Sequence, residues 1–222
     1  MKSSLIAAAL AFGLTCSVST PTRAEVLQQA VTISASPMPR SARCASASTR
    51  PDGPAASDAR ATEAELYLAI IKLRIGGRLP ATLIVESRSI PIPRFRGRAD
   101  QLGLIDGLPA DLKQPVLDGL PDCVELTPDR FPAGAQLVPF AEIRQGAGGG
   151  RADWASVAAR FDGARMWFAV SRALISATRR DAVVFYERPC TARCGEAEWV
   201  WFHRDSPTAP WRVMKEVWSW IS

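Results

Sequence analysis

The chain has 222 residues, 27 basic and 22 acidic side chains, one histidine and 47% hydrophobic residues. A formal charge of +5 spread over that length is not the concentrated positive field of a nucleic-acid binder, so no nucleic acid is expected as a partner. With His203 as the single histidine, zinc sites and Ser-His-Asp or Cys-His arrangements have one residue to build on, and no metal or cofactor site is expected.

At the N-terminus Lys2 precedes an apolar run over residues 5–14, too short to anchor in a bilayer. Thr22-Arg23-Ala24 before Glu25 is a small-residue cleavage context, so residues 1–24 read as a signal peptide and the mature chain as periplasmic or secreted. Cys16 follows the apolar run, but Gly13-Leu14-Thr15 is a poor lipidation context. Cleavage removes Lys2, Arg23 and no acid, leaving 198 residues at net +3. No later apolar run is long enough to cross a membrane, so an integral membrane protein is not expected. Four cysteines survive: Cys44, Cys123, Cys190 and Cys194. In an exported chain an even number implies disulfides, and four cysteines allow three pairings. Cys190 with Cys194, and hence Cys44 with Cys123, is the expected set.

Residues 25–60 read as a flexible segment, with at most a short strand over 25–35, because 36–60 is Ser, Pro, Ala and Arg with few large apolar side chains. Residues 61–144 form a helix-strand half with proline-rich loops. Thr62 and Glu65 form a capping-box pattern, Leu66, Ile70 and Leu73 recur at helical spacing, and Gly76-Gly77 closes the helix. Residues 81–86 (ATLIVE) read as a strand. Prolines between 91 and 139 forbid long elements, leaving one short helix over 110–120 interrupted by Pro115. A glycine-rich tether over 145–152 lacks the Lys-Ser/Thr of a phosphate loop. Residues 153–222 then make a helix and a β-meander. Asp153 caps a helix with a Trp154, Val157, Ala158, Phe161 stripe closed by Gly163. A long strand over 166–176, kinked near Arg172, turns at Thr178-Arg179-Arg180 into strands 182–187, 198–204 and 211–220. The fold class expected is α+β, an antiparallel four-stranded meander packed against helices with a proline-rich irregular middle.

The motifs Trp154, Ser171-Arg172, Ala182-Val183-Val184, Cys190 to Gly195 and Trp220-Ile221-Ser222 resemble a group of uncharacterised exported bacterial proteins. That group has a Trp helix, a Ser-Arg strand, a Cys-x3-Cys-Gly loop and a final Trp-x-Ser. Tyr67 and residues 83–85 resemble its N-terminal half more loosely. The resemblance covers about two-thirds of the chain; it implies a fold and a compartment, and carries no catalytic residue.

Five of the seven tryptophans lie between residues 181 and 222. Pairing Cys190 with Cys194 sets Phe185 opposite Trp199 and Val183 opposite Trp201, with Met214 near Trp201. One face then carries Ala182, Val184, Val200, Phe202, Val213 and Val217. The other carries Trp199, Trp201, His203, Arg212 and Trp218 with Val183, Phe185, Met214 and Glu216, and forms the candidate binding face. Trp199 and Trp201 are its expected main contacts; the alternative reading is that the region over residues 91–150 or a partner subunit covers this face. Three residues between Cys190 and Cys194 do not match the two of a thioredoxin centre. Glu187, Glu196 and Glu198 read as solvated hairpin acids rather than a glycosidase pair. Arg94-Phe95-Arg96-Gly97-Arg98 reads as a solvated loop, or one touching anionic envelope surfaces. The function expected is a non-enzymatic envelope binding module for a protein or surface polymer. A small-ligand carrier ranks second and a hydrolase or thiol-redox enzyme third.

Overall fold

The computed structural model describes residues 54–76, 80–95, 103–144, 154–164, 166–189 and 195–221, all within the unit Ser36–Ser222. The signal peptide, the tether at 145–152, and Cys44, Cys190 and Cys194 lie outside them. Helix α1 (Pro54–Ile75) begins inside the segment expected to be flexible. Proline is tolerated in a first turn because its missing N–H would be unpaired there, and the alanines that follow favour helix. Thr62 is therefore a buried residue within α1 and not its cap. The helix stops at Gly76, at φ +71°.

The strands are β1 (Leu83–Glu86), β2 (Ala135–Val138), β3 (Trp167–Val170), β4 (Leu174–Ile175), β5 (Asp181–Arg188), β6 (Glu196–His203) and β7 (Arg212–Ile221). They form one sheet in the order β2-β1-β3-β5-β6-β7, with β4 also paired to β5. The class is α+β, but the sheet is mixed and seven-stranded, not a four-stranded antiparallel meander. β1 runs parallel to both β2 and β3, while the pairs from β3 to β7 are antiparallel. β2 was not foreseen: the prolines exclude long elements, yet four residues fit between Gly134 and Pro139. The single strand expected over 166–176 breaks into β3 and β4 around Ser171 and Arg172.

Both sheet faces are covered, which explains the near-continuous burial of β1, β3 and β5. Leu66, Tyr67, Ile70 and Ile71 of α1 pack on Val85, Phe168, Val184, Tyr186, Val200 and Phe202. On the other face α2 (Gly103–Gly107) and α3 (Ala110–Asp118) place Leu104, Leu112 and Val116 over Val183, Phe185 and Trp199. Farther along, α4 (Phe140–Arg144) and α5 (Trp154–Arg160) bring Ile143 and Val157 against Ile84 and Trp167. The apolar stripe foreseen for α5 buries Val157 and Phe161.

Helix α3 contains Pro115 and ends at Gly119, whose φ is +72°. A Cβ there would stand 2.6 Å from the Ile92 carbonyl oxygen, where residue 92 bridges Leu120. Gly119→Ala is therefore expected to destabilise by about 2 kcal/mol or more, since backbone strain and a backbone clash add. Urea unfolding measures it; a change below about 0.5 kcal/mol would contradict this account of the turn.

Candidate functional site

Strands β5 and β6 pair from Asp181↔His203 to Arg188↔Glu196, including Phe185↔Trp199 and Val183↔Trp201 as alternation required. Pairing of β6 with β7 is interrupted twice, between Ala197/Glu198 and between Trp201/Phe202. Trp201 faces Lys215 while Phe202 faces Val213, so Met214 is an extra residue on β7. The bulge reverses the expected faces beyond it. Val217 packs with Trp199 on the α2/α3 side, while Glu216 and Trp218 lie opposite Val200 and Glu198 on the α1 side.

The five residues of the expected binding face are consequently divided. Trp199 is 3% exposed, packed against Phe95 and Phe185 with ring centroids 5.8 and 5.2 Å away. It is a core ring, and its expected role as a main contact is withdrawn. Trp201 is half-buried; its indole N–H donates to Asp181 Oδ1 at 3.0 Å, and its ring lies over Gly107, where a Cβ would come within 2.5 Å. His203 Nδ1 meets the same Asp181 oxygen at 2.9 Å. Arg212 reaches Asp205 at 2.7 Å on the surface. Trp218, 41% exposed, lies on the other face, with the Arg74 guanidinium 5.6 Å from its ring. Trp201, His203 and Arg212 are thus the members the fold keeps together.

On the α1 side, sequence reading missed a buried ionic cluster. Arg74 donates to Glu198 and to Glu216, and its Nε is 3.7 Å from Glu196 Oε1. Arg188 Nε donates to Glu196 Oε1 at 2.7 Å, and the Tyr186 hydroxyl donates to the same oxygen at 3.2 Å. Glu187, Glu196 and Glu198 are all buried rather than solvated. Burial pushes the Glu198 carboxyl up to about 7; Arg74 and the Tyr186 hydroxyl oppose that rise, and Glu196 and Glu216 add to it. Burial likewise raises the Tyr186 hydroxyl well above its ordinary range. The available signal was Glu198 itself, an acid in the middle of the apolar strand Ala197-Glu198-Trp199-Val200.

A second buried carboxylate, Glu63, accepts from Arg130 Nη1 at 2.6 Å, from Arg172 Nε and from the Ala173 amide at 3.2 Å. Ser171 beside it takes the Tyr67 hydroxyl on its carbonyl and the Phe185 amide on its Oγ. The Ser171-Arg172 motif thus fixes the break between β3 and β4 to α1. Cys123 is fully buried.

The remaining distinctive surface is β7. It is one of the two end strands in the described order, opposite β2, and it carries three of the exposed large hydrophobic residues: Val213 at 38%, Met214 at 50% and Trp218. Arg212 and Lys215 are exposed on its α2/α3 side. Among the described residues no group of acids, cysteines and histidine has a metal-binding arrangement, and no helix is long and apolar enough to cross a membrane. The chain matches no model of a known protein family, no characterised protein and no solved structure.

Proposed function

We propose that this is an exported, non-enzymatic binding module of the bacterial envelope, as its resemblance to exported proteins implies, and that it adds an extended polypeptide segment to the outer edge of β7. The observation carrying this reading is the exposure of Val213, Met214 and Trp218 on a ten-residue edge strand. Edge strands offer unpaired backbone groups to an incoming strand, and alternate side chains supply selectivity.

Charge identifies the partner's chemistry. Arg212 and Lys215 share one face of β7, while Val213 and Trp218 share the other. An extended segment alternating acidic and apolar residues complements both. A second copy does not: antiparallel pairing about a two-fold axis keeps each face on its own side, and sets the cations of both chains together.

Fluorescence anisotropy with a synthetic alternating Glu/Val peptide tests the reading against a Lys/Val control. The acidic peptide is expected to bind, and Trp218→Ala to weaken it about tenfold. Lys215→Glu is expected to reverse the preference between peptides. Equal binding of both peptides, or of neither, contradicts strand addition at β7.

A further inference from the structure

Glu196, Glu198 and Glu216 bring three carboxylates to a cluster in which Arg74 and Arg188 supply two guanidinium groups. The elements around it are α1 with Arg74, β5 with Tyr186 and Arg188, β6 with Glu196 and Glu198, and β7 with Glu216. Fully ionised, the cluster carries one uncompensated negative charge. Glu198 is 0% exposed, and its Oε1 has no hydrogen-bond partner among the described residues, although Oε2 receives Arg74. A buried, ionised carboxylate oxygen left without a donor is costly, and a proton on Glu198 removes the charge.

From this geometry we infer that the cluster is a proton-operated latch: with one proton on Glu198 it fixes the last turn of α1 to β7, and without it the join loosens. Its consequence for binding rests on the reading of β7 given above. Ionised Glu198 repels Glu196 and Glu216, and the group with the shortest path to water is Glu216, whose side chain is already 30% exposed. Relief comes by moving Glu216 and the outermost strand that bears it, at the expense of a single ladder with β6. Arg74 and its contact with the Trp218 ring move with them, so the edge offered to a partner changes shape.

The carboxyl's rise from 4.5 to about 7 gives the direction. The folded protein holds the proton between those values and the unfolded chain does not, so stability from the latch is full below about 4.5, declines as pH rises from there toward about 7, and is lost above it.

Carbon-13 NMR of glutamate side chains in the full chain, titrated between about pH 5 and pH 9, reads the proton directly. One glutamate carboxyl is expected to titrate near neutrality, and Glu198→Gln is expected to remove that signal and flatten the dependence of melting temperature on pH. Titration of every glutamate below about pH 5 overturns the latch in the wild-type protein alone, whether or not the variant folds. Persistence of the neutral titration in Glu198→Gln also overturns it. The acidic peptide used above separates the two ideas. Neutral titration without peptide binding sinks the reading of β7 and leaves the latch, whereas peptide binding without neutral titration sinks the latch alone.

Discussion

Replacing Arg74 by methionine is expected to lower unfolding free energy by about 3–5 kcal/mol near neutral pH, because it strands carboxylates that cannot all reach water. Among the described residues, Arg74 joins Glu198 of β6 to Glu216 of β7 from α1. Methionine preserves much of the stem's packing, so the loss is electrostatic rather than a cavity. Arg74 holds the Glu198 carboxyl down against burial, and removing it lets that carboxyl rise further. The folded variant then retains its proton to higher pH, so its deficit is expected to grow as pH increases. Urea unfolding at acid and alkaline pH measures both effects. A deficit below about 1 kcal/mol that does not vary with pH would show that the cluster contributes little to the α1–β7 join.

Glu63→Ala is expected to be comparably damaging, by about 3–5 kcal/mol, through Arg130. The Arg130 side chain is 9% exposed and its Nε has no partner among the described residues, so losing Glu63 leaves a buried guanidinium almost without compensation. Arg172, less buried, can turn toward solvent. Glu63→Gln retains the shape and one acceptor oxygen and is expected to cost about half as much. A double-mutant cycle of Glu63 with Arg130 should reveal coupling above about 1 kcal/mol. Independent, additive effects would mean that the contact between α1 and the Pro128–Arg130 turn is held by Tyr67 stacking on Phe131, 5.3 Å away, rather than by charge.

What could be read from the sequence depended on the range of the interactions that decide it. The β5–β6 register was legible because Val183, Phe185, Trp199 and Trp201 alternate across a short connection. The α1 face was legible from Leu66 and Ile70, although its start was not, because an alanine-rich helix and a flexible tail share much of their composition. The parallel pairing of β1 with β2 joins residues such as Val85 and Leu137, and nothing local to either records it. The β7 faces were inverted beyond Met214 because a bulge adds one residue to a period-two pattern and leaves no mark of its own. That inversion also concealed the Arg74 cluster, since Glu216 and Trp218 face α1 only after the extra residue is counted. Trp199 was misplaced for a different reason. Alternation assigned it to the correct face, but α2, α3 and Phe95 cover that face; they come from the 91–150 region, whose cover over this face was the alternative reading of the sequence.

Amide hydrogen exchange in the purified full chain tests most directly whether β7 presents an open edge. Amides of β5, paired on both sides, are expected to be the slowest in the sheet. Along β7, those paired to β6 should be protected, and those directed away should exchange orders of magnitude faster. The Glu/Val peptide should slow that faster set and leave β2, at the opposite edge, unchanged. Uniform slow exchange along β7 in the free protein would mean that another part of the chain already covers the edge, contradicting its proposed role as the binding surface.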